Sequence, residues 1–185
     1  MRTTLVEWII TVSDDHRLLP ETLFLAIDYL DRFCSIRNVP SQQYQLLGLT
    51  CLWVASKYEE LPRAVPSLDT LVGDCCGIYS KRDFKAMEFV ILKELDFRLG
   101  YPTRATFFTI NAGVVGLIDR DTIQMGRKLL VETLKHPHLL VFNNTIVATA
   151  CIVVVSSKLR KMIKEENVVV TAAMRHIEEM ANNMW

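Results

Sequence analysis

Apolar residues recur along most of the chain at the three- and four-residue spacings of amphipathic helices, and the predicted elements follow from that period. Leu5, Trp8 and Val12 form one stripe of a first helix over residues 1–13. Pro20 and Glu21 suit a first helical turn and open a second helix, in which Leu23, Ile27, Leu30 and Cys34 share a face. Asn38-Val39-Pro40 breaks the pattern, and Ser41 is placed to cap a third helix reaching Glu60. Pro62 and Pro66 interrupt again before a short fourth helix over 67–75. Ser80 with Asp83 forms a capping-box pattern, with Asp where Glu is usual, and opens a fifth helix to Asp96. Its stripe is Phe84, Met87, Ile91 and Leu95. Leu99-Gly100-Tyr101-Pro102-Thr103 reads as a linker, and further helices are expected over 103–114, 120–136, 144–163 and 167–183. The runs 152–155 and 168–170 have strand propensity, but the flanking helical period and the scarcity of glycine favour helix.

An internal echo divides this series. Thr50-Cys51-Leu52-Trp53-Val54-Ala55-Ser56 and Ala150-Cys151-Ile152-Val153-Val154-Val155-Ser156 match in character at an offset of 100 residues, each in the third helix of its half. The expected architecture is all-α: two tandem five-helix units, residues 1–99 and 100–185, with the second abbreviated. A chain of 185 residues, half of them apolar, is long enough to bury such cores and argues against disorder. Charge follows the same division. Residues 1–99 carry 11 basic and 14 acidic groups, a net −3, and residues 100–185 carry 10 and 7, a net +3.

Several function classes drop out. An overall charge of zero disfavours a generically basic nucleic-acid binder, because neutralising phosphates needs an excess of Lys and Arg. The charge-free runs 39–56 and 139–157 each leave an apolar segment of about 10–13 residues, short of the ~20 that span a bilayer, and read as buried helices. No secretory leader pattern opens the sequence. The five cysteines (34, 51, 75, 76, 151) are odd in number and mostly lie in apolar helical patterns, as expected of reduced core residues in a nuclear or cytoplasmic protein. Cys75-Cys76 has no further Cys at zinc-ligand spacing, and His136-Pro137-His138 reads as a helix stop, so no metal or other cofactor is expected. A phosphate loop, a nucleophile elbow and a zinc-protease motif are all absent, and no catalytic residue is assigned. The residues describe a helical interaction module, not an enzyme.

The informative residues are charges placed on apolar stripes. Asp31 lies on the face of Phe24 and Ile27, Lys57 continues the face of Leu46, Thr50 and Trp53, Glu88 follows Met87, and Arg2 stands between Met1 and Leu5. A buried or half-buried charge is costly unless paired. Arg2 and Asp31 are candidates for an internal pair. For Lys57 and Glu88 two arrangements stay open: a pair inside the fold, or a surface rim awaiting a partner's backbone groups.

Met1-Arg2-Thr3-Thr4-Leu5-Val6-Glu7-Trp8 resembles the opening of the cyclin box in mitotic-type cyclins. Leu19 to Leu23 through Tyr29-Leu30-Asp31-Arg32-Phe33 is similar to that family's second helix, and Leu46-Leu47-Gly48 with Ala55-Ser56-Lys57-Tyr58-Glu59-Glu60 to its third. Met87-Glu88 and Leu92-Lys93-Glu94-Leu95-Asp96-Phe97 resemble its fifth. The resemblance is dense over 1–99. It is looser over 100–185, where Pro102-Thr103, Phe107-Phe108 and the helix from Asn144 resemble a second cyclin fold and the stretch after Ser157 is short for its fourth helix.

The resemblance implies a subunit, found in nucleus and cytoplasm, that binds and activates a cyclin-dependent protein kinase in cell-cycle control. It assigns Lys57 and Glu88 to hydrogen bonds with backbone at the kinase's mobile regulatory helix, inside an apolar contact surface of Val54, Tyr58, Leu92, Phe97 and Leu99. Arg2 and Asp31 become the structural ion pair. Met1, Leu5, Trp8 and Gln45 match a patch that receives Arg-x-Leu peptides of substrates or inhibitors. Thr4 stands where the family has Ile, Tyr44 where it has Leu and Thr11 where an acid is common, which implies weak or altered docking. The upstream helix and degradation signals of the family lie outside this sequence. The alternative is a scaffold of the same fold that does not activate a kinase.

Overall fold

The computed structural model describes residues 1–116, 119–156 and 168–182, and every regular element among them is helical. The chain divides into two units, Met1–Tyr101 and Pro102–Trp185.

In the first unit the charge-free run becomes a buried axis. Helix α3 (Tyr44–Glu59) buries Leu46 through Leu52 without a gap, then Val54, Ala55 and Ser56. A helix apolar all round must be covered on all sides. Helix α2 (Pro20–Ile36) lies along it, burying Leu23 through Ile27 with Tyr29, Leu30 and Phe33. Helix α1 (Arg2–Asp15) crosses α3 at Gly48, where a Cβ would stand 2.9 Å from Ile9 Cδ1 and 3.0 Å from Leu5 Cδ1, so the bare glycine sets how close the helices come. The short α4 (Leu68–Asp74) is capped by Ser67 and linked to the end of α1 by His16 Nε2 and Asp74 Oδ2 at 2.8 Å. Helix α5 (Lys81–Glu94) closes the unit against α3. The Ser80–Asp83 capping box is formed in both directions, and those hydrogen bonds from Ser80 hold the Asp83 carboxyl below its usual range.

Two ends differ from expectation. Ser41 makes no cap hydrogen bond; Ser41–Gln43 forms a single 3-10 turn, and α3 begins at Tyr44. The start of α2 is capped from a distance, because Glu60 Oε1 accepts from Leu19 N–H at 2.6 Å and from Thr22 Oγ1 at 2.7 Å. No local pattern signals a cap supplied from the end of α3.

The second unit repeats the plan. Helices α6 (Arg104–Val114), α7 (Arg120–Glu132) and α8 (Asn144–Val155) start at caps from Thr103, Asp119 and Asn143. Helix α9 (Val168–Asn182) follows. The central α8 packs against the other three and buries Val147, Ala148 and Ala150 through Val153. The echo in sequence is thus an echo in place: Cys51 and Cys151 are both fully buried in the axial helix of their unit. Helix α7 gives way to 3-10 turns at Thr133–Lys135 and Pro137–Val141, and α8 stops at Val155, with Ser156 extended, so neither reaches its expected end. Residues 157–163 of the expected helix, and the short stretch after Ser157, lie outside the described residues. Arg104, 5% exposed, donates to Thr133 O and Oγ1 at 3.2 and 3.1 Å and to Leu139 O at 3.1 Å. Both carbonyls also accept a backbone N–H at 3.4 Å, from His136 and from Phe142, so the buried guanidinium adds a second donor to each and ties the two 3-10 turns to α6.

At those turns His138 stands between His136 and His176, with ring centroids 5.3 and 5.0 Å away, and Phe142 faces His176 at 6.3 Å. Burial, then the His176 and His136 rings, hold the His138 pKa below 6.5, against the pull of Glu179. Because the folded state binds its proton less readily than the unfolded chain, this contribution is present above pH 6.5 and is lost as pH falls below it. Thermal melts between pH 7.5 and 5.5 are expected to show a loss of stability toward acid that is smaller in His138→Gln.

Candidate partner-binding surface

Lys57 is the first charge after the run 39–56 and stands where α3 leaves the core. Its Nζ donates to Glu88 Oε1 on α5 and lies 3.5 Å from the centroid of the Trp53 ring, one turn back. The two side chains are 35% and 21% exposed. Both arrangements left open by the residues are therefore partly realised: the charges pair with each other, and the pair sits at the rim.

Large apolar groups on the same elements face solvent. Tyr58 is 52% exposed, Leu61 62%, Phe89 64% and Phe97 65%, with Leu92 and Leu99 half-buried. The Tyr58 phenol reaches the backbone at Gly100. After α5 the chain turns through left-handed residues, Asp96 (φ 50°) and Phe97 (φ 56°), with Phe97 N–H donating to Leu92 O at 2.9 Å. Such conformations cost about 1–2 kcal/mol per non-glycine residue, so the turn needs outside support. It has it: Tyr29 Oη donates to Leu99 O at 3.0 Å and Arg32 to Arg98 O at 2.9 Å, tying the segment to α2. Val54 does not belong to this surface. It is 2% exposed, and its side chain packs inside the unit. Leu61 and Phe89 were missed, the first because it follows the helix end and the second because it stands off the buried Phe84–Ile91 stripe. A phenylalanine off the stripe of its own helix was the available signal.

Arg2 and Asp31 make a two-pronged pair between α1 and α2, Nε to Oδ1 and Nη2 to Oδ2 both at 2.7 Å, with side chains 22% and 24% exposed. The residues of the peptide patch divide. Met1 is 75% exposed and Thr4 is exposed, Trp8, Tyr44 and Gln45 are half-buried, and Leu5 is 8% exposed against Gly48. Leu5 therefore holds α1 on α3 and offers little to a ligand.

No group of three His, Cys, Asp or Glu side chains among the described residues is placed to hold a metal ion. Burial drives the Cys75 thiol up to about 11 and Cys151 to about 12, and Cys51 well above its usual value, which keeps these thiols protonated and unreactive. No helix among the described residues is long and apolar enough to cross a membrane.

A family model described as the cyclin N-terminal domain matches residues 1–100, nearly the whole of the unit that carries these residues. The chain belongs to the cyclin family. Among relatives, the G2/mitotic-specific cyclin C13-1 of Daucus carota is 43% identical over 108 residues, 58% of this chain and 31% of that cyclin. Matches to plant cyclins of this kind span 24% to 31% of the relatives' length. Two solved structures share the fold. A viral cyclin from herpesvirus saimiri matches all of this chain and 85% of its own, with TM-score 0.83 at 14% identity. A chain of the yeast RNA polymerase II CTD kinase CTDK-1 complex matches 95% of this chain and 63% of its own, with TM-score 0.72 at 13% identity. The cyclin box is thus recognisable in sequence, while the second cyclin fold is carried by structural likeness.

Two ion pairs of the cyclin box, Arg2–Asp31 and Lys57–Glu88, should differ in cost. Asp31→Ala leaves a half-buried guanidinium without its two charged hydrogen bonds and is expected to cost about 1.5–3 kcal/mol in urea unfolding. Lys57→Ala removes an exposed single contact and should cost under about 1 kcal/mol.

Proposed function

We propose that this chain is the regulatory subunit of a cyclin-dependent protein kinase and that it activates the kinase by docking through the rim around Lys57 and Glu88. The observation that carries this reading is a charge pair held half-exposed next in sequence to exposed Tyr58 and Phe89, with exposed Leu61 and Phe97 just past the ends of the same two helices. Exposed aromatic groups beside partly desolvated charges are the composition of a binding hot spot. Lys57 can exchange its bond to Glu88 for a backbone carbonyl and Glu88 can accept a backbone N–H, so the pair suits the open groups at a helix end. Docking would hold the mobile helix of the kinase inward, so that its own Lys–Glu pair and magnesium ligands assemble. The subunit supplies no catalytic group in this scheme, and action in nucleus and cytoplasm is part of the proposal.

Removing one member of a desolvated charge contact typically costs about 2–5 kcal/mol in binding. Lys57→Ala and Glu88→Ala are therefore expected to abolish activation in a histone-kinase assay on material pulled down from extract, while the helical circular-dichroism spectrum is unchanged. Unchanged kinase binding in both variants would overturn the assignment. Binding of a kinase by the wild-type chain without activation would favour the scaffold reading.

Docking of Arg-x-Leu peptides is proposed to be weak, because Thr4 puts a hydroxyl on the face between exposed Met1 and half-buried Trp8 and Leu5 is occupied against Gly48. Fluorescence titration should give binding weaker than micromolar, strengthened by Thr4→Ile.

A further inference from the structure

Along the outer side of α5, Lys85, Phe89 and Lys93 recur every four residues, a spacing that stacks them in one ridge about 12 Å long. All three are exposed, Phe89 by 64%. Neighbouring charges on this helix are engaged elsewhere: Lys81 pairs with Asp69 at 2.6 Å, Glu94 with Arg37 at 2.7 Å and Glu88 with Lys57. Neither Lys85 nor Lys93 has a carboxylate partner among the described residues. An aromatic ring set outward between two such lysines contributes nothing visible to the unit's own core, which α5 joins through Phe84 and Ile91.

We propose that this Lys–Phe–Lys ridge is a specificity element of the kinase interface, and that the kinase it selects presents an apolar depression bordered by carboxylates. The proposal rests on the function argued above and extends its surface from Glu88 to the adjacent residue and outward. Charge complementarity fixes the chemistry of the occupant. A basic or uncharged kinase surface would leave two lysines facing it unpaired, while an acidic border pairs both and lets the ring be buried between them.

The test is a titration of this chain with purified cyclin-dependent kinase catalytic subunits, using wild type, Phe89→Ser, Lys85→Glu/Lys93→Glu and Lys57→Ala. Phe89→Ser is expected to weaken binding about tenfold or more. The double charge reversal should weaken it by a factor that grows as salt is lowered, since screening removes the effect at high ionic strength. Circular dichroism checks that each variant is folded. If wild type binds and Lys57→Ala does not, while Phe89→Ser and the charge reversal bind as wild type, the ridge proposal fails and the docking function stands. If wild type binds no kinase, the functional reading itself fails. A dimer of this chain seen by light scattering and abolished by Phe89→Ser would assign the ridge to a second copy and overturn the proposal.

Discussion

The structure of the first unit depends on the burial of the middle of α3. Between Leu46 and Leu52 no position of this helix faces water, and α1, α2 and α5 are arranged to cover it while α4 packs on α5. Gly48 lets α1 lie close, α2 runs alongside, and α5 shuts the remaining side. A helix that tolerates no charge along its length must carry its first charge where it emerges. Lys57 stands there, and the covering helix α5 brings Glu88 to meet it. The candidate site is therefore a consequence of how the core ends.

The unit uses ion pairs of two kinds. Arg2 and Asp31 are locked in a fork with both oxygens engaged, tying α1 to α2. Lys57 and Glu88 share a single contact, eased by the Trp53 ring, and keep polar capacity to spare. A fork suits support because its geometry is specific; a single rim contact suits recognition because exchanging it costs little. In the second unit Arg104 has a third use, with its guanidinium bracing two irregular turns through their carbonyls.

Much of the plan was legible in the residues. The helical period, the Ser80–Asp83 box, the proline at the start of α2 and the repeated Cys-containing axial helix all act over a few residues, where propensity and capping decide. The pairing of Arg2 with Asp31 was readable as a possibility because a charge on an apolar stripe needs a partner. Four features were not legible. Glu60 capping α2, Arg104 reaching two turns, Ser41 losing its capping role and Val54 turning inward each depend on which distant segment lies alongside. Phe89 escaped for a related reason: its residue type suggests core, although its place off the Phe84–Ile91 stripe set it apart, and the packing of that stripe shows that it faces out.

By itself the sequence determined the helices, the two-unit repeat, the charges that had to be explained and the cyclin motifs of residues 1–99, because these are properties of spacing along one chain. The tertiary structure paired Lys57 with Glu88 and put the pair at the rim, removed Val54 and Leu5 from the exposed surfaces, and set Phe89 between two lysines outside the core. Exposure is a relation between segments far apart in sequence, and a helical period reveals which residues share a face but not whether that face meets water.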